Sequence, residues 1–213
     1  ALIETERKRL GRAAGKLKVA PVRNPCAHLQ EQLIEHPATL IVSASLPADD
    51  KIETILSRAL KDAPGELLIA RLPSVEDAGA TFNHAQVFIP VTKEEVPSAA
   101  LLGWASRLAH HGAHVLLAGF LEVPRSLPSE AALPPDEQAL ETILSEAKAA
   151  LHTLGVECET KIKRGRELSD ELLRSCCGEK RRILLLSESQ VELVPELGIR
   201  ATSPLLICRS GRK

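Results

Sequence analysis

The sequence predicts an α/β protein, a doubly wound parallel sheet with helices on both faces. Three observations carry that prediction. Strand-like and helix-like stretches alternate along the chain, which implies parallel strands joined by right-handed crossovers. Several strands are near-continuous apolar runs, such as ILLL at 183–186 and PLLIC at 204–208, as expected of strands covered on both faces. The same order of elements also occurs twice, once in part and once in full.

The second half reads β-α-β-α-β-α-β-loop-β. HAQVFIPV (84–91) is a short β-rich run. PSAALLGWASRLAHHG (97–112) places Leu101, Trp104, Ala105 and Leu108 at intervals of three and four, one face of a helix, with Gly112 as its stop. AHVLLAGFLEVP (113–124) reads as a buried strand, and a Pro-rich loop runs to about 136. EQALETILSEAKAALHTLG (137–155) is a helix again ended by glycine, and VECETKIKRG (156–165) alternates with period two, as an outer strand does. LSDELLRSCCGEK (168–180) is a third helix with Ser169 as candidate N-cap, and RILLLSES (182–189) and PLLICRS (204–210) are strands.

The first half starts late in the same order. ETERKRLGRAAG (4–15) reads as the end of a helix and KLKVAPVRN (16–24) as a strand. PCAHLQEQLIEHP (25–37) and ADDKIETILSRALKDAPG (48–65) read as helices, and TLIVSAS (39–45) and ELLIARLP (66–73) as strands. TLIVSAS lines up with ILLLSES, and ELLIARLP with PLLICRS. The expected organisation is a partial unit over 1–73, a small, polar linker over 74–83 and a complete unit over 84–213. The opening β-α-β of the first unit is expected on residues outside this string, the chain being a piece of something longer.

Composition narrows the function. Hydrophobic residues make up 44%, a globular value. Lys plus Arg is 27 against 28 for Asp plus Glu, which argues against a dedicated nucleic-acid binder. The longest apolar runs are far too short to span a bilayer, and no leader pattern opens the chain. Five cysteines, odd in number and without a CxxC, point to a reduced, cytosolic setting rather than a disulfide scaffold or zinc site.

The stretch 86–213 resembles the universal stress protein family. QVFIPVTKEEVPSAALLGWASRLA looks like that family's opening strand, loop and first helix, and LGVECETKIKRGRELSDELLRSC like its third strand, glycine turn and next helix. Residues 4–73 resemble it more weakly. The resemblance implies a tandem, Rossmann-like sheet, and in nucleotide-binding members an Asp at the tip of the first strand with a Gly-rich loop after the fourth. Here Thr92 stands in place of that Asp. The loop QVELVPELGIRATSP keeps one glycine, Gly198, and carries Glu192 and Glu196, whose carboxylates repel a triphosphate. LPADDKIE, after TLIVSAS, has no glycine and two aspartates. Gly165 matches the family's glycine after the third strand, where a turn calls for one anyway. If nucleotide binding survives, Thr92, Gly165 and Gly198 are the residues expected to contact it; the leading expectation is no cofactor, with ATP as the alternative.

Other candidates have plainer readings. His110, His111 and His114 are the histidines of HHGAH; Gly112 interrupts their helical spacing, and imidazoles at a helix C-terminus suit its dipole. Cys176 and Cys177, adjacent in the third helix, point in different directions. ETERKRLGR (4–12) reads as a solvated helix face or a contact for a membrane surface or acidic partner. KIKRGR (161–166), beside the family's cleft, could meet a phosphate. Glu167, Asp170 and Glu171 suit the first turn of a helix. No Ser/His/Asp set, GxSxG or HExxH appears, so no enzyme activity is expected.

Tandem units with lost nucleotide motifs occur in the cytoplasmic tails of membrane transporters, including sodium/proton antiporters and cation-chloride cotransporters. The expectation is a non-enzymatic regulatory and dimerisation module of that kind, cytoplasmic and attached to the inner face of a membrane; the alternative is a free-standing tandem stress protein binding ATP or another adenine nucleotide. Family members often pair edge to edge through the last strand. The expected contact is a homodimer through 204–210, or a pseudo-dimer in which 66–73 takes the partner's place within one chain.

Overall fold

The computed structural model describes residues 40–44, 67–72, 85–128, 131–176, 182–193 and 205–209. The expected elements 4–15, 16–24, 25–37 and 48–65, the linker 74–83, Gly198, Glu196, Cys26 and Cys177 lie outside them.

The described strands are β1 (Leu40–Ala44), β2 (Leu67–Leu72), β3 (Gln86–Val91), β4 (His114–Glu122), β5 (Cys158–Gly165), β6 (Arg182–Ser187) and β7 (Leu205–Arg209). The helices are α1 (Ala99–His110), α2 (Pro134–Thr153) and α3 (Leu168–Cys176), with a 3-10 turn at Glu188–Leu193. The strands form one sheet in the order β1-β2-β7-β6-β3-β4-β5. From β7 to β5 it is a five-stranded parallel sheet. This is the predicted Rossmann-like, doubly wound fold, and β5, read as an outer strand, is its edge.

Strand parity explains the layering. Val87, Ile89, Val91, Val115, Leu117, Ile183 and Leu185 share one core with Leu101, Leu102 and Ala105 of α1 and Leu140, Leu144 and Leu151 of α2. The alternate residues Phe88, Leu116, Phe120, Leu184 and Leu186 are also buried, on the opposite face, where α3 crosses. Both faces are therefore dry, which is why β3, β4 and β6 lack polar alternation. Gly119 lets α2 come close: a Cβ there would fall 2.9 Å from Leu144 Cδ1 and 3.0 Å from two atoms of Leu140.

Two helix ends follow one recipe. Gly112 (φ 92°) and Gly155 (φ 76°) occupy left-handed backbone that a side chain would strain. Gly112 N donates to Ala109 O at 2.9 Å and Ala113 N to Leu108 O at 3.2 Å; Gly155 N and Val156 N repeat the pattern to His152 O and Leu151 O at 2.9 and 3.0 Å. Both are Schellman caps, and the two predicted glycine stops fall there.

Starts were harder to place. Ser98 caps α1, its Oγ accepting from Leu101 N at 3.2 Å. α2 begins at Pro134, three residues before the expected start, because proline in a first turn gives up only an N–H that has no helical partner. Ser169 is not the N-cap of α3: the helix already runs from Leu168, and Glu167 O accepts the first bond, from Glu171 N.

β2 pairs antiparallel with β7, Leu67 opposite Arg209 through Arg71 opposite Leu205. A homodimer through the edge of 204–210 needs the edge that β2 fills. Aligning LLIAR with LLICR makes Ile69 equivalent to Ile207, and these two residues face each other in the ladder. The contact thus has the form of a two-fold within one chain.

Candidate functional site

Parallel strands that end together leave a space beyond their carboxyl ends, and ligands of open α/β sheets bind there. In this chain the space has two parts, one on each side of β3.

On the β4 and β5 side is a cavity of about 150 Å³, lined by Thr92 and Lys93 after β3, Phe120 and Glu122 of β4, Gly165 ending β5, and Glu167 before α3. Two of the three sequence candidates, Thr92 and Gly165, therefore come together although 73 positions separate them. The tip after β3 is a tight turn, in which Glu95 N donates to Thr92 O at 3.4 Å. Lys93 Nζ lies 3.0 Å from Asp136 at the start of α2. The bond to Asp136 raises the Lys93 pKa above the usual lysine range. Gly165 does not sit in left-handed backbone, and a Cβ there would meet Glu171 Cβ at 3.6 Å, ordinary contact. The turn therefore has no need of a glycine here; the missing side chain leaves a bare patch of cavity wall.

Three of the four cations of the basic patch are engaged by the chain itself. Lys163 Nζ donates to Ser175 Oγ at 2.6 Å, lies 3.5 Å from Glu171, and sits 5.9 Å from the Phe88 ring centre. Arg164 pairs with Glu137 and donates to Ala131 O at 2.8 Å. Arg166 holds the loop after β4, donating to Val123 O (3.1 Å), Pro124 O and Leu127 O (2.7 Å). Glu167, at the cavity wall, pairs with Arg125.

On the β6 side the space is filled. Only Gln86–Phe88 of β3 pair with β6, against all six residues of β3 with β4, so β3 and β6 separate towards their carboxyl ends. The 3-10 turn after β6 inserts Gln190, which is 7% exposed. Its Oε1 accepts from Ser187 N at 3.2 Å and its Nε2 donates to Pro90 O at 3.2 Å. The side-chain amide thus bridges two backbone groups at the ends of the separated strands. Above it Ser187 Oγ lies 2.8 Å from Ser189 Oγ, which donates to the Glu95 carboxylate. Neither Gln190 nor Glu95 stands out in the sequence; a glutamine after an apolar strand has no pattern that marks it as an insert.

The remaining candidates lie elsewhere. His110, in the last turn of α1, has Nδ1 2.7 Å from Ser106 O. His111 caps that helix and His114 opens β4, at the opposite end of the sheet from the cavity. Among the described residues no three His, Cys, Asp or Glu side chains gather to hold a metal ion. Cys158 and Cys208 are not in disulfides, and burial pushes the Cys158 pKa up. Among the described residues no helix is long and apolar enough to cross a membrane.

No protein-family model matches the chain. No curated protein matches it either. Among solved structures it is similar to a universal stress protein from Archaeoglobus fulgidus DSM 4304, at 12% identity and a TM-score of 0.66, over 99% of this chain and 75% of that one. It is also similar to the cytoplasmic domain of a prokaryotic cation chloride cotransporter, at 14% identity and a TM-score of 0.52, over 88% of this chain and 70% of that one. The fold of the chain is the universal-stress-protein-like one.

Proposed function

We propose that the chain is a non-enzymatic regulatory and dimerisation module with an eroded nucleotide site, built as tandem units and forming the cytoplasmic domain of a membrane ion transporter. The observation that carries this reading is the state of the space beyond the strand ends. On one side of β3 it is filled by Gln190 beneath the Glu95 carboxylate. On the other, Lys93, which lines the cavity, is paired with Asp136, and Lys163, Arg164 and Arg166 of the nearby basic patch hold the chain's own hydroxyl, acids and carbonyls. A triphosphate would have to displace those bonds and approach acidic groups. The likeness to a cotransporter's cytoplasmic domain is in keeping with this reading, as an analogy of fold.

A second reading, a free-standing tandem stress protein binding ATP or another adenine nucleotide, is favoured by the cavity beside Thr92 and Gly165. Calorimetric titration with ATP and Mg²⁺, with AMP and cyclic AMP alongside, separates the two. No heat at millimolar nucleotide is the expected result. Binding at micromolar strength would overturn the eroded-site reading in favour of the second. A series of apolar transmembrane helices on the same polypeptide would support the transporter context, and a soluble remainder would remove it.

A further inference from the structure

We propose that Gln190 and the Glu95–Ser189 hydrogen bond form a latch, in which the chain's own side chains occupy the crevice between β3 and β6 and exclude solutes until the turn Glu188–Leu193 swings out. Three observations lead to it. First, the two strands part after Phe88 and Leu184, which opens a slot at the point where the strand order reverses about β3. Second, the slot has one backbone donor and one backbone acceptor at its walls, Ser187 N and Pro90 O, and the Gln190 amide satisfies both. A buried donor and acceptor left without partners are costly, so the slot must hold a group with an acceptor beside a donor. Third, the fastening is at the surface: Ser189 is exposed, and its hydroxyl is what ties the turn to Glu95, across the mouth from β3. The turn that carries Gln190 packs against β6 and β7, and one of its ties, Ser189 to Glu95, is open to solvent.

The device sets affinity through population. If the latch is closed about ten times as often as it is open, a solute that needs the open crevice binds about tenfold more weakly than it would to the open form. The open crevice favours a solute that supplies what Gln190 supplies, an acceptor for Ser187 N–H and a donor for Pro90 O, as a carboxamide or the edge of an aminopurine does. This inference goes beyond the regulatory-module reading and does not rest on it. Nucleotide binding by the wild-type chain tests that reading, whereas Ser187 amide exchange and the binding of an uncharged base, compared between variant and wild type, test the latch.

The experiment compares the wild-type chain with Ser189→Ala, Glu95→Ala and Gln190→Ala. Amide exchange at Ser187 is followed by NMR, and free adenine, which carries a donor beside an acceptor but no phosphate charge, is titrated by NMR chemical shift. Ser189→Ala changes only an exposed hydroxyl, so it stays informative if Gln190→Ala fails to fold. The expected result is faster exchange at Ser187 in each folded variant, with adenine affinity raised about tenfold over wild type. Unchanged exchange at Ser187 overturns the latch. So does faster exchange without a gain in adenine affinity in a folded variant.

Discussion

The two sides of β3 meet the same problem with different means. Towards β4 and β5, the strand ends and the start of α3 line a cavity of about 150 Å³, and two of the charged groups around it are paired, Lys93 with Asp136 and Glu167 with Arg125. Towards β6, the separated strands are rejoined by a side-chain amide. The difference follows from pairing. β3 and β4 stay in register for the whole of β3, so the space beyond them borders satisfied backbone. β3 and β6 part early and leave a buried donor and acceptor that something has to satisfy. An empty space is tolerable where its walls are satisfied, and is filled where they are not.

Three substitutions or conditions sharpen this contrast. The largest effect is expected from Arg166→Ala, which frees the loop after β4 beside the open cavity. It removes bonds to Val123 O, Pro124 O and Leu127 O, and should lower stability by about 1–2 kcal/mol, since the freed carbonyls regain water. Urea unfolding measures that loss, and faster proteolysis between 123 and 128 should accompany it. An unchanged midpoint would mean that the loop needs no such tie.

Gly165→Ala should cost less, within about 0.5 kcal/mol, because the new Cβ meets only ordinary contacts and the backbone is not left-handed. A large loss of stability would show that the cavity wall is as tightly filled as the β6 side. The smallest effect belongs to Lys93. Its pKa is raised by Asp136, so the pair stabilises the fold below the ordinary lysine range, and that contribution is lost as pH rises through the raised value. The group is exposed and screened, so alkaline unfolding of Lys93→Met should follow that of wild type closely. A clear divergence between the two would place the pair among the supports of the cavity.

The order of elements was legible because burial on both faces writes unbroken apolar strands, and because Gly112 and Gly155 mark helix ends that only glycine takes without strain. The start of α2 at Pro134 was misplaced because proline reads as loop until its place in a first turn is known. Of the site, sequence picked out Thr92 and Gly165 through resemblance, and the fold brings them to one cavity. It also marked KIKRGR as basic, but charge alone does not say whether a cation faces solvent or a neighbouring carbonyl. Gln190 was invisible for a related reason: its role depends on where β3 and β6 part, which no local pattern records.

The pairing of β2 with β7 changes what dilution can do. Two separate molecules joined by such a ladder come apart as their concentration falls, and their stability follows that concentration. Here both strands belong to one polypeptide, so each finds the other at a local concentration fixed by the connecting chain. Whatever that interface holds in place keeps its arrangement at the scarcity of a few molecules per cell as well as at abundance.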